Sequence, residues 1–255
     1  MFIIPIKSEK EIEIMRQAGK ILAQTMNKIV PYVKRGVSAM ELDKIAENFI
    51  ISQKAEPAFK GYGHKDRPYP ATLCVSVNEE VVHGIPWKNK ILNSGDIVSI
   101  DCGVKFQGYY SDMAVTFGIG KISAQADKLM KITQQSLEKA IAIIKPGIHL
   151  GDISWTIQSF VEKNGFSIVR QLTGHGIGKE LHEKPSIFNY GDPKTGPILK
   201  SGMVLAIEPM VNLGDWEIET SNDGWTVINV DRSLSAHFEH TILITPTGAE
   251  VLTKI

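Results

Sequence analysis

Apolar side chains at Ile14, Met15, Ala18, Ile21, Leu22, Ile29, Val30 and Val33 fall on one face of a 3.6-residue period, which predicts an amphipathic helix. Ser8 and Glu11 form a capping box at its start, so the helix is expected to run to about Val33. A second box, Ser38 and Glu41, opens a helix to about Gln53. A polar loop with Gly61, Gly63, Pro68 and Pro70 follows. The pattern then changes to strands over residues 73–77 and 97–104, with 109–117 returning as the other arm of a hairpin. Leu129, Met130, Thr133, Leu137, Ala140, Ile141 and Ile144 restore the helical period. A fourth helix is expected to end near Gly165, which would cap it. Further strands are expected over 167–172, 203–211, 226–229 and 238–245. Helices and strands in this order predict an α+β fold with an antiparallel or mixed sheet.

The pattern repeats itself. L-N-S-G-D-I-V-S-I-D, from Leu92 to Asp101, is echoed by L-K-S-G-M-V-L-A-I-E, from Leu199 to Glu208. Each copy is a turn feeding a buried strand that ends in a carboxylate. Upstream, K-R-G-V-S-A-M-E-L at Lys34 matches K-P-G-I-H-L-G-D-I at Lys145. The offsets, 111 and 107 residues, keep nearly one register, and each copy follows a long helical pattern. The expectation is one catalytic unit over residues 1–255, built from pseudo-repeats of about 1–120 and 121–255 that share an acidic site.

Composition narrows the function classes. The 255 residues are 43% hydrophobic and 22% charged, ordinary values for a globular chain with a large core. Lys+Arg and Asp+Glu both number 28, so no net field draws the chain to nucleic acid or membrane. The local basic run of Lys60, His64, Lys65 and Arg67 reads as a solvated loop. Two cysteines, Cys74 and Cys102, make no disulfide framework and fit a reducing cytoplasm. The opening M-F-I-I-P-I is too short for a signal peptide, and no stretch approaches a membrane span.

Candidate chemistry centres on acids. Asp101 and Asp112 are symmetric about Phe106 and Gln107, beside Gly108. A two- or four-residue loop there would set them opposite each other across the hairpin, where like charges need a counter-ion or a shared proton. T-G-H-G-I-G-K-E-L-H adds His175 and His182, A-I-E-P-M adds Glu208, and H-F-E-H-T adds Glu239. Glu208 ends the apolar run Val204, Leu205, Ala206, Ile207, a place where an unpaired carboxylate is costly. Two dications would cancel four carboxylates, and about 3.5–4 Å apart they could activate a hydroxide and polarise a carbonyl.

At these residues the chain resembles the short, type I methionine aminopeptidases, metallopeptidases of the pita-bread fold, along essentially its whole length. The motifs are S-I-D-C-G, Y-S-D-M-A, T-G-H-G-I-G, I-E-P, F-E-H-T, V-N-E-E-V-V-H-G-I-P and S-N-D-G-W-T ahead of D-R-S-L-S-A. The resemblance implies removal of an N-terminal methionine that precedes a small residue, by hydroxide attack at two divalent ions (Co, Mn, Fe(II) or Zn). Asp101 would hold one ion, His175 and Glu208 the other, and Asp112 and Glu239 both. Glu208 would serve as general acid/base, His182 would steady the carbonyl or oxyanion, and His83 would contact the peptide nitrogen. Tyr69, Cys74 and Trp225 would line the methionine pocket, with His83 at its edge. Leu181 and Asp66 depart from the family, standing where aromatics are common. A monovalent cation (Na or K) near Asn78 and Ser235 is also implied. So are peptide and nascent-chain substrates, transient ribosome association, a monomeric state and a cytoplasmic location.

Three other readings compete. A pita-bread hydrolase of X-Pro peptides usually carries an additional N-terminal domain. A catalytically dead binding module would lack ligands, yet all five are present. A paired-carboxylate glycosidase using Asp101 and Asp112 leaves His175, Glu208 and Glu239 without a role.

Overall fold

A computed structural model describes residues 4–254; the apolar start at Met1, Phe2 and Ile3 lies outside them. Helix α1 (Glu9–Ile29) starts at the Ser8/Glu11 box and α2 (Ala39–Ser52) at the Ser38/Glu41 box. The first helix is shorter than its apolar period predicts. Pro31 cannot donate a helical hydrogen bond, and its ring disfavours helix before it. The chain therefore tightens into a single 3₁₀ turn at Val30–Tyr32, and Val30 is exposed. Helices α3 (Ala124–Ile143) and α4 (Leu150–Lys163) form the second pair. Beyond α4, Gly165 takes a φ of 84°, the left-handed conformation expected of a helix stop.

The helices cover a nine-stranded sheet. Its central path runs Glu56–Pro57, Ile97–Phe106, Tyr109–Gly118, Glu239–Ile244, Val204–Ile207, Thr173–Gly176 and Glu183–Phe188, every pairing antiparallel. Leu73–Val77 also pairs with Ile97–Phe106. Strand alternation explains which face the helices take. Val98, Ile100, Cys102 and Val104 pack with Leu22, Met26, Leu42 and Ile50 of α1 and α2. Leu205, Ile207, Ile242 and Ile244 pack with Leu129, Leu137, Ile153 and Ile157 of α3 and α4. The alternate positions, among them Ser99, Asp101 and Gly103, point to the other face.

The expected 203–211 strand is broken. Val204–Ile207 and Met210–Asn212 join different sheets, because Glu208 and Pro209 interrupt the ladder. Short strands that the pattern did not predict complete the sheets: Glu80–Val82, Glu183–Phe188, Ile218–Thr220, Ser235–His237 and Ala249–Val251.

The hairpin register corrects the expectation for the two aspartates. Gln107 and Gly108 have φ values of 48° and 84°, the signature of a two-residue type I′ turn, and Phe106 pairs with Tyr109. The turn thus falls one residue later than the symmetry of Asp101 and Asp112 requires. Asp101 faces Ala114 and Asp112 faces Gly103. The acids are diagonal neighbours on one face, not a directly opposed pair.

Candidate active site

Two adjacent rows across the sheet face turned away from the helices bring the acidic residues together. In the first row Cys74 faces Asp101, Asp101 faces Ala114, and Ala114 faces Glu239. Glu208 follows Ile207, which pairs with His240, so the same register sets it beside Glu239. The second row runs through Gly103 and Asp112 to Thr241, Ala206 and His175. The Thr241 hydroxyl donates to the Asp112 carbonyl at 2.8 Å, and the Asp112 amide lies 2.9 Å from the same hydroxyl oxygen, locking that step. Ala114 and Ala206 have short side chains, which leaves the space over them to the carboxylates and the imidazole, while Gly103 makes room for the Phe59 ring, 2.6 Å from where its Cβ would stand.

The acids that end the two similar sequence stretches thus lie on either side of one pair. Asp101 and Glu208 flank the Ala114–Glu239 pair from opposite sides. His175 is admitted by its neighbours: a Cβ on Gly174 would stand 2.5 Å from the Ala206 carbonyl, and one on Gly176 would stand 2.2 Å from that of Lys184. The T-G-H-G sequence is what lets this strand approach so closely.

The group is buried and under-satisfied. Asp101, Asp112 and Glu239 are 9%, 4% and 2% exposed. Asp101 Oδ1, Asp112 Oδ1 and Glu239 Oε1 have no hydrogen-bond partner among the described residues. Burial and then the charges of Asp112 and Glu208 push the Asp101 carboxyl well above the usual carboxylate range. Glu208 is raised by burial and by Asp112. Glu239 is raised by burial and by Asp112, Glu208 and Asp101. Burial lifts Asp112 to about 7, despite hydrogen bonds from Asp101 and the Met113 backbone that favour its charged form.

These residues fit divalent cations. Donor atoms of Asp112, His175 and Glu239 lie within 4.8 Å of one another. Burial holds His175 neutral, its pKa pushed down to about 3. Its Nδ1 is 2.9 Å from the Gly176 carbonyl, the usual way a ligating imidazole is oriented, which leaves Nε2 free at 3.5 Å from Glu208 Oε1. Buried unpaired carboxylate oxygens beside a neutral imidazole nitrogen are the ligand types that borderline divalent metals take.

The rows open into a cavity of about 100 Å³, lined by all five of these residues together with His83, His182, Tyr69, Cys74 and Trp225. Every residue expected at the site is therefore brought to one cavity. Tyr69 and Trp225 meet edge to face at 5.2 Å. The Cys74 thiol is pushed far up by burial and by Asp101, so it forms an inert wall. His83 sits in a left-handed backbone conformation (φ 58°), and burial pushes its pKa down to about 4. Leu181 also lines the cavity. Asp66 is exposed and is not among the lining residues; Tyr62 supplies an aromatic at the rim instead. Asn78 and Ser235 are joined by a 2.8 Å backbone hydrogen bond and do not line this cavity.

Three contributors escape sequence reasoning. Phe59 lines the cavity from the bend just after the Glu56–Pro57 strand. Tyr62 hydrogen-bonds through its hydroxyl to His182 Nδ1, so Nε2 is the nitrogen left for the cavity. His237 packs its ring against Glu208 and Glu239. For His237 a signal existed: strand alternation puts residue 237 on the same face as residue 239.

The fold and the site together define a metallopeptidase, and the chain belongs to metallopeptidase family M24, whose model matches residues 13–246. It is 52% identical over 253 residues to the methionine aminopeptidase of Clostridium perfringens (strain 13 / Type A), with 99% of each chain covered. The crystal structure of the methionine aminopeptidase from Thermotoga maritima superposes with a TM-score of 0.96 at 49% identity, over 99% of this chain and 100% of that one. A prolidase from Pyrococcus horikoshii OT3 is more distant, with a TM-score of 0.77 and 26% identity over 98% of this chain but 63% of that one. Pita-bread architecture is common to this group, and the antiparallel sheet with its two helix pairs is that fold.

Proposed function

We propose that this chain is a metal-dependent aminopeptidase that removes N-terminal methionine from peptides and nascent proteins, preferring a small second residue. The observation that carries the reading is the convergence of three buried carboxylates, the partly exposed Glu208 and one neutral imidazole on a single small cavity. Asp101, Asp112, His175, Glu208 and Glu239 would hold two divalent ions, with Asp112 and Glu239 central to both. When bound, such ions lower the pKa of water and polarise a carbonyl oxygen.

The chain's own residues do the rest. Tyr69, Cys74, Phe59, Leu181 and Trp225 form an apolar wall that suits one unbranched thioether and excludes water from it. Glu208 takes a proton from the attacking water and returns one to the departing amine. His182, oriented by Tyr62, donates to the carbonyl oxygen as charge develops there. His83 contacts the peptide nitrogen that leaves. Two halves of one duplicated unit supply these groups, and a cytoplasmic monomer that meets chains emerging from the ribosome completes the proposal. No helix among the described residues is long and apolar enough to cross a membrane.

Release of methionine from Met-Ala-Ser, measured against cleavage of Ala-Pro with Mn²⁺ or Co²⁺ added, tests the reading. Met-Ala-Ser is the expected substrate. Faster turnover of Ala-Pro rejects the assignment in favour of an X-Pro hydrolase.

A further inference from the structure

His237 occupies an unusual position for an imidazole. It ends the Ser235–His237 strand, two residues before Glu239. The strand is pinned there: the His237 amide donates to the Thr116 hydroxyl at 3.0 Å, and that hydroxyl donates to the His237 carbonyl at 2.7 Å. The side chain is 2% exposed, and neither ring nitrogen has a hydrogen-bond partner among the described residues. A buried, unpaired N–H is costly enough that native structures rarely keep one without a function.

Two carboxylates near its ring point to that function. Nε2 stands 3.7 Å from Glu208 Oε2 and 3.9 Å from Glu239 Oε2. The other oxygen of Glu208, Oε1, stands 3.5 Å from His175 Nε2. The Glu208 carboxylate therefore lies between two imidazoles, one at each oxygen. A movement of a few tenths of an ångström brings the His237 pair into hydrogen-bonding distance. All five proposed ligands line the cavity and His237 does not, which sets it behind them and not among them.

We propose that His237 is a positioning residue of the metal centre: its Nε2–H donates to Glu208 Oε2, fixing the carboxylate plane and reserving Oε1 for the side shared with His175. This rests on the metallopeptidase reading above. Outer partners of this kind orient ligating carboxylates, and their loss weakens metal binding about 10–100-fold.

Two near-isosteric variants test the role. H237Q keeps an N–H donor at the end of an unbranched side chain, whereas H237M keeps the length and removes the donor. Mn²⁺ binding by calorimetry should weaken about 10–100-fold in H237M and recover most of that loss in H237Q. At saturating Mn²⁺, H237M should lower kcat on Met-Ala-Ser while KM stays near the native value. The thermal midpoint of each metal-free variant separates a folding defect from a positioning one. Equal Mn²⁺ affinity and equal kcat in H237Q and H237M would overturn the proposal, whether both were native-like or both impaired. A native chain that binds no Mn²⁺ would instead overturn the metallopeptidase reading, and the role of His237 with it.

Discussion

Glu208 combines demands that no other side chain in the cavity shares. It follows a buried apolar strand, touches imidazoles through both oxygens and, in the proposed reaction, carries the proton. Glu208→Gln keeps the shape and removes the base, so kcat on Met-Ala-Ser should fall by roughly 10²–10⁴; near-normal turnover would refute the role. Asp112→Asn should lower metal occupancy, and unchanged stoichiometry by elemental analysis would remove Asp112 from the ligand set. The raised carboxyls also predict a pH dependence. Asp112 keeps its proton up to about pH 7, and Asp101, Glu208 and Glu239 are raised in the same sense. Ligation requires the charged form, so metal uptake below pH 7 must release protons, and affinity must rise with pH. His175 is pushed down to about 3 and is already neutral above pH 5, so it adds nothing to that release. Calorimetry of Mn²⁺ binding at pH 6 in buffers of different ionisation enthalpy should register net proton release, and affinity should rise about tenfold per pH unit for each proton displaced. Binding that is flat between pH 5 and 7 would mean the carboxylates are already ionised.

At the scale of elements, backbone chemistry sets how closely the side chains can approach. Both serine capping boxes and the long helical periods are legible in the sequence because each signal is local. The helix end at Ile29 is legible too, once Pro31 is given its weight over the apolar period. The aspartate register is harder. Symmetry of the two acids centres the turn on Phe106 and Gln107, but Gly108 is the residue that takes a left-handed backbone without strain, and it draws the turn to Gln107 and Gly108. The short strands at Glu183–Phe188 and Ser235–His237 have too few residues for a period to emerge, and tertiary pairing defines them. The same pairing imposes limits that a substitution can probe. Gly176→Ala would set a methyl 2.2 Å from a backbone carbonyl on the adjoining strand, so it should destabilise the chain by about 1–3 kcal/mol and displace His175. Thermal unfolding and metal affinity should fall together in that variant; an unchanged midpoint would mean the strands part more easily than their packing implies.

At the scale of the whole molecule, one antiparallel sheet carries Asp101, Asp112, His175 and Glu239 to a single cavity, as the proposed duplication of the chain would require. The two acid-terminated strands motivate that duplication, and the five proposed ligands come from motif resemblance. What the sequence could not convey is the pairing across the sheet. Asp101 and Glu208 come from strands 107 residues apart in the chain, yet they flank the same Ala114–Glu239 pair. Tyr62 was missed for the same reason: it acts through His182, 120 residues further along the chain. Equal numbers of acidic and basic residues, 28 of each, hide the local excess of negative charge in the cavity. Neutralisation of that excess by two cations is the central claim. Anomalous diffraction at the manganese edge, from crystals soaked in Mn²⁺, tests it most directly. The account predicts two peaks in the cavity, both touching Asp112 and Glu239, one flanked by Asp101 and the other by His175 and Glu208. A cavity without a manganese peak, its carboxylates hydrogen-bonded only to one another and to water, would contradict it.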